Sequence, residues 1–232
     1  MNFAKSNKEY FEECHPYDLL IKHNYMRHRE IIECLKGSTL SLKADPIRIL
    51  ELGCGNAYVA PKAFGHFSNV HFTGVDLSSQ ALRDAYSILQ STSWEIQLIE
   101  GDIKKTVAGL NGDYDLIVAG FAMHHFLPDS IQRILDQLKP RVTNGGIFFI
   151  YDVVTLEEED RATYHARFID GIDLEATKLS VNQLSMIKNH VENFDFPISF
   201  SEWKECTLRA GFQSCEMLYR DKDARYTLMQ IT

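Results

Sequence analysis

From residue 47 onward, short apolar runs alternate with segments whose apolar residues recur at helical spacing. Ile47–Leu52 reads as a strand, and Ala57–Phe67 as a helix with Pro61 in its first turn. Val70–Val75 reads as a second strand, followed by a helix that Ser78 caps and that runs to about Leu89. Trp94–Ile99 and Tyr114–Ala119 are the third and fourth strands, the latter a continuous buried run. Pro128–Leu138 is helical, Gly145-Gly146 reads as a turn, and Ile147–Tyr151 is a fifth strand. Strands alternating with helices at this spacing predict an open, mostly parallel sheet of the α/β class.

The flanks differ. Residues 8–36 read as helical, broken from Gly37 to Pro46. Residues 155–195 are charged and helical with no strand signal. A helix over Ser201–Ala210, a stop at Gly211, and strands near Phe212–Tyr219 and Tyr226–Ile231 follow. One domain over 1–232 is expected: a helical cap (1–45), a core (46–154), a helical lid insertion (155–197), then the last helix and strand pair (198–232).

Composition narrows the class only a little. Hydrophobic residues at 45% and charged residues at 24% suit a globular core, and the formal net charge of −8 disfavours a broad nucleic-acid-binding surface. Cys14, Cys34, Cys54, Cys206 and Cys215 form no CxxC pair, which argues against a zinc knuckle or a disulfide framework. No apolar run approaches the ~18 residues of a membrane span, and a cytoplasmic location with no membrane partner is expected. Oligomeric state is not legible.

The chemistry concentrates in ILELGCGNAYVA, residues 49–60. A strand carrying Glu51 runs into Gly53-Cys54-Gly55, where the missing side chains let backbone approach a ligand closely. The second strand ends in Asp76, placed to accept hydrogen bonds from ribose hydroxyls. Dinucleotide-binding sites want Gly or Ala three residues past the second glycine, and here Tyr58 stands there. Glu51 would also repel a pyrophosphate, whereas a sulfonium and an ammonium tolerate it. Charge favours S-adenosylmethionine over NAD.

Together, ELGCGN, GVDLS, EGDI, YDLIVAGFAMHHF and LKP…GGIFFIYD resemble the successive motifs of class I S-adenosylmethionine-dependent methyltransferases over residues 47–152. The resemblance implies a Rossmann-like, doubly wound, seven-stranded sheet, mostly parallel with an antiparallel last strand, plus N-terminal helices and a helical insertion after the fifth strand. It implies that Gly53 and Gly55 line the methionine portion, that Glu51, Cys54 and Asn56 also bind the cofactor, and that Asp76 holds the ribose. Leu77 would pack on the adenine, Asp102 and Ile103 would meet its amino edge, and Gly120 would also bind the cofactor. Relatives usually have Gly in place of Ala57, and a Pro-Gly-Gly turn in place of Thr143-Asn144-Gly145-Gly146. The product would be S-adenosylhomocysteine.

The acceptor is less legible. Where amide- and base-modifying relatives carry an Asp/Asn-Pro-Pro-aromatic motif, this chain has Gly120-Phe121-Ala122-Met123-His124-His125. That favours an O or N nucleophile of a small metabolite over a protein or RNA partner, with a non-catalytic cofactor-binding subunit as the reading from another class. His125, His124 and Asp152 are the catalytic candidates, weighed against simple packing, and His165, Arg167 and His190 are the substrate candidates in the insertion. Arg27 is weighed for the cofactor carboxylate against a solvated helix face. A metal set of Asp152, His124 and His165 gains no support from spacing, so no metal is expected.

Overall fold

The computed structural model describes residues 16–232. Strands β1 (Ile47–Leu52), β2 (Val70–Asp76), β3 (Glu95–Glu100), β4 (Tyr114–Gly120), β5 (Val142–Val153), β6 (Cys215–Arg220) and β7 (Tyr226–Ile231) form one sheet ordered β3-β2-β1-β4-β5-β7-β6. Pairings from β3 through β5 are parallel, and β7 runs antiparallel to both β5 and β6. This is the expected Rossmann-like sheet. The helices are α1 (Pro16–Lys22), α2 (His28–Thr39), α3 (Ala60–Phe64), α4 (Ser79–Leu89), α5 (Ile103–Gly109), α6 (Pro128–Leu138), α7 (Arg161–Glu175), α8 (Val181–Phe194) and α9 (Phe200–Arg209).

The central strands are covered on both faces, and β5 shows how. Ile147, Phe149 and Tyr151 enter one core with α2, α3, α4, α7 and α8. Phe148 and Ile150 enter the other, with α5, α6 and α9. The two-residue period of a strand divides its side chains between the layers.

Three local expectations need correction. The N-terminal helical region is interrupted at Asn24 and Arg27, with φ of 57° and 58°, and not at Gly37, which lies inside α2. Burial of Ile31, Ile32 and Leu35 outweighs the ~1 kcal/mol that one helical glycine costs. Residues 8–15 of that expected helix lie outside the described residues. The helix expected over Ala57–Phe67 shrinks to α3, because Ala57 takes φ 56° in the preceding loop. Gly145-Gly146 lies within β5: pairing steps from Tyr114↔Val142 to Leu116↔Ile147, so residues 143–146 bulge out opposite the single residue 115.

The insertion holds α7 and α8, which bury Tyr164, Phe168, Ile172, Ile187 and Val191 against the face that also carries α2. Arg27 forks onto Glu175 at 2.8 and 2.7 Å, and buried Arg225 meets the same carboxylate at 2.8 Å. One acid of α7 thereby joins the N-terminal helices to the β6–β7 turn.

Candidate active site

The strand order reverses between β1 and β4, so their carboxyl ends diverge and open a crevice, the usual ligand position in such sheets. A cavity of about 240 Å³ lies there. Glu51, Gly53, Cys54, Gly55, Asn56, Asp76, Leu77, Asp102, Ile103 and Gly120, the expected cofactor group, all line it.

The loop after β1 is built from left-handed backbone: φ is 67° at Gly53, 51° at Gly55 and 56° at Ala57. A Cβ on Gly53 would lie 2.6 Å from Ala122 Cβ, so glycine is required for the loop to pack under the β4 turn. Gly55 has open space where a side chain would point. The Gly53 and Cys54 amides both donate to Val75 O, and the Gly55 amide donates to Asp76 Oδ2 at 2.8 Å. Asp76 Oδ1 accepts from Ser78 N at 2.8 Å. Burial raises the Asp76 carboxyl above its ordinary range, against the lowering effect of these amides. Asp102 caps α5 by accepting from Lys104 N at 2.9 Å while lining the cavity, so its capping and ligand-facing readings coexist.

Glu51 is 3% exposed, and its Oε2 has no hydrogen-bond partner. Burial, reinforced by the Asp76 carboxylate, pushes Glu51 up to about 8. An orphaned buried carboxyl in a cavity wall is costly, and a cationic ligand is its natural complement. The residues present therefore fit S-adenosylmethionine.

The opposite wall is aromatic. Tyr17, Ile21 and His28 from α1 and α2 join Tyr58, Phe121 and Tyr151. His28 lies 5.2 Å from the Phe121 ring and 6.0 Å from Tyr58, and burial lowers it to about 4.

Of the catalytic candidates, only His125 lines the cavity. His124 and Asp152 sit behind it, paired at 2.5 Å between Nδ1 and Oδ1. Asp152, fully buried, also accepts from the amides of Met123, His124 and Val153. Burial opposes charge on His124, yet Asp152 and Asp195 together raise it to about 9. His190 lies in the same group, its ring 5.1 Å from that of His125, and burial lowers it to about 3. Asp195 is raised by burial to about 7.

The other candidates lie elsewhere. Arg167 forks onto Glu159 at 2.7 Å to both oxygens and reaches the carbonyls of Val154, Asp223 and Ala224. His165 is on α7, outside the cavity wall, and Arg27 is engaged by Glu175. Sequence reasoning missed Tyr17, His28, Phe121 and Tyr151 as lining residues, and Asp195 altogether. Tyr151 had one signal: Gly120 stands opposite it on the paired strand.

Fold and site together define an α/β domain with a glycine-lined crevice that carries a buried acid. Residues 50–148 match the family model of the methyltransferase domain. The chain is 21% identical over 193 residues to the carboxy-S-adenosyl-L-methionine synthase of Campylobacter fetus, covering 82% of this chain and 80% of that relative. It is 32% identical over 123 residues to the malonyl-[acyl-carrier protein] O-methyltransferase of Priestia megaterium, covering 52% of this chain and 43% of the relative. The chain thus spans less than half of that relative. Among solved structures, an S-adenosylmethionine-dependent methyltransferase of Leishmania major superposes with TM-score 0.70 at 12% identity, covering 99% of this chain and 82% of that one. Residues 50–148 are thus similar to a methyltransferase domain, and the fold is that of solved methyltransferase structures.

Proposed function

We propose that this chain transfers the methyl group of S-adenosylmethionine to an oxygen or nitrogen nucleophile of a small-molecule metabolite. The observation that carries this reading is the unpaired, buried Glu51 carboxyl in a glycine-lined crevice. When bound, the cofactor supplies an electrophilic methyl on a sulfonium. Gly53 and Gly55 would line its methionine portion, Asp76 its ribose, and Leu77, Asp102 and Ile103 its adenine.

The chain's own work is then proximity and orientation. Tyr58, Phe121, Tyr151 and His28 supply flat apolar surface for an acceptor, and α1 and α2 close over it, which suits a small molecule. His125 is placed to touch the acceptor. His124 and Asp152, behind it, act as positioning residues. The insertion supplies none of the described lining residues and packs behind His125, so α1 and α2 rather than the expected lid cover the acceptor. The net charge of −8 disfavours a nucleic acid partner.

A second reading has one observation in its favour: relatives named for malonyl-[acyl-carrier protein] match a shared stretch of the chain. An acceptor delivered on a protein carrier would then replace the free metabolite.

Calorimetry with S-adenosylhomocysteine and with NAD tests the cofactor; binding of NAD alone would sink the proposal. Release of S-adenosylhomocysteine is then followed across amine, phenol and carboxylate acceptors, with malonyl-[acyl-carrier protein] as the arm for the second reading. Turnover with the carrier protein and none with free acceptors would replace the first reading by the second.

A further inference from the structure

His190 and Asp195, which methyl transfer leaves without a role, meet His124 and His125 behind the cavity wall. His124 Nε2, His125 Nδ1 and His190 Nε2 surround one oxygen, Asp195 Oδ1, at 3.5, 3.7 and 3.7 Å. One ligating atom from each of these residues fits within a span of 4.8 Å. The four side chains are only 8%, 10%, 12% and 4% exposed, so bulk water barely reaches them.

No hydrogen bond reaches the oxygen at the centre of this packing. Asp195 Oδ1 is buried and has no hydrogen-bond partner, and all three nitrogens stand beyond hydrogen-bond range of it. A cation between them resolves both facts. Metal–ligand bonds of about 2.0–2.1 Å in a tetrahedron put ligand atoms roughly 3.3–3.4 Å apart. The three measured separations are longer by only a few tenths of an ångström.

The surroundings are those of a ligand set. Nδ1 of His124 is held by Asp152 at 2.5 Å, which leaves Nε2 facing Asp195. A carboxylate orienting a histidine through its second nitrogen is the usual support for a metal-bound imidazole. Asp152 is in turn fixed by three backbone amides. The Phe196 amide donates to His124 O at 2.7 Å, pinning the two ligand-bearing segments together. His125 Nδ1 also lies 3.2 Å from Phe194 O and would exchange that contact for the metal.

We propose that His124, His125, His190 and Asp195 bind one divalent transition-metal ion of the Zn²⁺ class in a closed, tetrahedral site. Four protein ligands leave no open position, so the ion is a staple rather than a Lewis acid. It joins the turn after β4 to the end of α8, and so fixes the insertion against the cavity wall that His125 lines. Three imidazoles and one carboxylate suit Zn²⁺ or Co²⁺ better than Mg²⁺ or Ca²⁺. The site does not depend on the acceptor or on methyl transfer.

The test uses the full chain, stripped with a chelator and titrated with CoCl₂ and ZnCl₂. One Co²⁺ per chain is expected, with the intense visible absorption of tetrahedral coordination, displaced stoichiometrically by Zn²⁺. X-ray absorption of the Zn²⁺-loaded chain should show only N and O ligands, near 2.0–2.1 Å. His190→Ala should weaken Zn²⁺ binding about a hundredfold or more, and Asp152→Asn about tenfold, the latter through the orientation of His124. Sub-stoichiometric binding, a weak octahedral Co²⁺ spectrum, or unchanged affinity in His190→Ala would overturn the proposal. The spectra of the unmodified chain decide the matter even if His190→Ala fails to fold.

Discussion

Tyr151 occupies the space where a side chain on Gly120 would be. A Cβ built on Gly120 would lie 1.9 Å from Tyr151 Cζ, and the two residues are direct partners across β4 and β5. The absence of a side chain on one strand is therefore what lets an aromatic ring on the next one reach the cavity. Gly120→Ala should displace that ring and destabilise the protein by about 1–3 kcal/mol, the usual cost of overpacking. Affinity for S-adenosylhomocysteine should fall with it. In a Tyr151→Leu background the same change should cost measurably less. Denaturant melts of the unmodified protein and the three variants check this; additive losses would show that the two residues are not coupled.

Asp76 braces its own loop, both its oxygens accepting backbone amides, and it is also the residue proposed to hold the ribose. Asp76→Ala should weaken S-adenosylhomocysteine binding at least about tenfold, the scale of a lost charge-assisted hydrogen bond. Calorimetry reads the change directly. Unchanged affinity would mean that the ribose lies elsewhere.

Glu51 gives a pH dependence whose sign follows from its burial. Its folded value, about 8, lies above the ordinary carboxyl range, so the folded chain holds a proton that the unfolded chain releases. Its contribution to stability is complete at acid pH and declines as pH rises from the ordinary carboxyl range to about 8. Glu51→Gln should remove that decline. Melting temperatures of both proteins between pH 6 and pH 9 test it, with parallel curves as the contrary result. A cation beside Glu51 favours its ionised form, so cofactor binding near neutral pH should release a proton. Calorimetry in buffers of different ionisation enthalpy measures that release.

Arg167 is held by the structure of the insertion and makes no contribution to the cavity wall. Arg167→Ala leaves the nearly buried Glu159 carboxylate without its cation and should cost about 2 kcal/mol of stability. The KM for the cofactor should be unchanged. A selective rise in acceptor KM without loss of stability would instead restore a substrate-binding role.

Legibility in the sequence tracked distance along the chain. The loop after β1 and the carboxyl end of β2 could be read because their geometry is local: glycines at a turn after an apolar run, then an acid ending the next run. The boundaries of α6 and the Ser78 cap of α4 followed from Pro128 and from a hydroxyl three residues before the amide it accepts from. Gly37 misled, since a helix-breaking preference of about 1 kcal/mol yields to burial of neighbouring residues. Gly145-Gly146 misled for a related reason, because a bulge is defined by the partner strand and not by the glycines themselves.

What the sequence alone determined was the fold class and the glycine loop after β1, where short-range backbone requirements leave few alternatives. Tertiary structure decided which side chains share a wall. It sent Arg27 to Glu175 and Arg167 to Glu159, and it brought His190 and Asp195 beside His124 and His125 across some 65 to 70 residues of chain. No periodicity records such meetings. They depend on how α7 and α8 pack against the sheet, where buried charges must find partners wherever the fold places them.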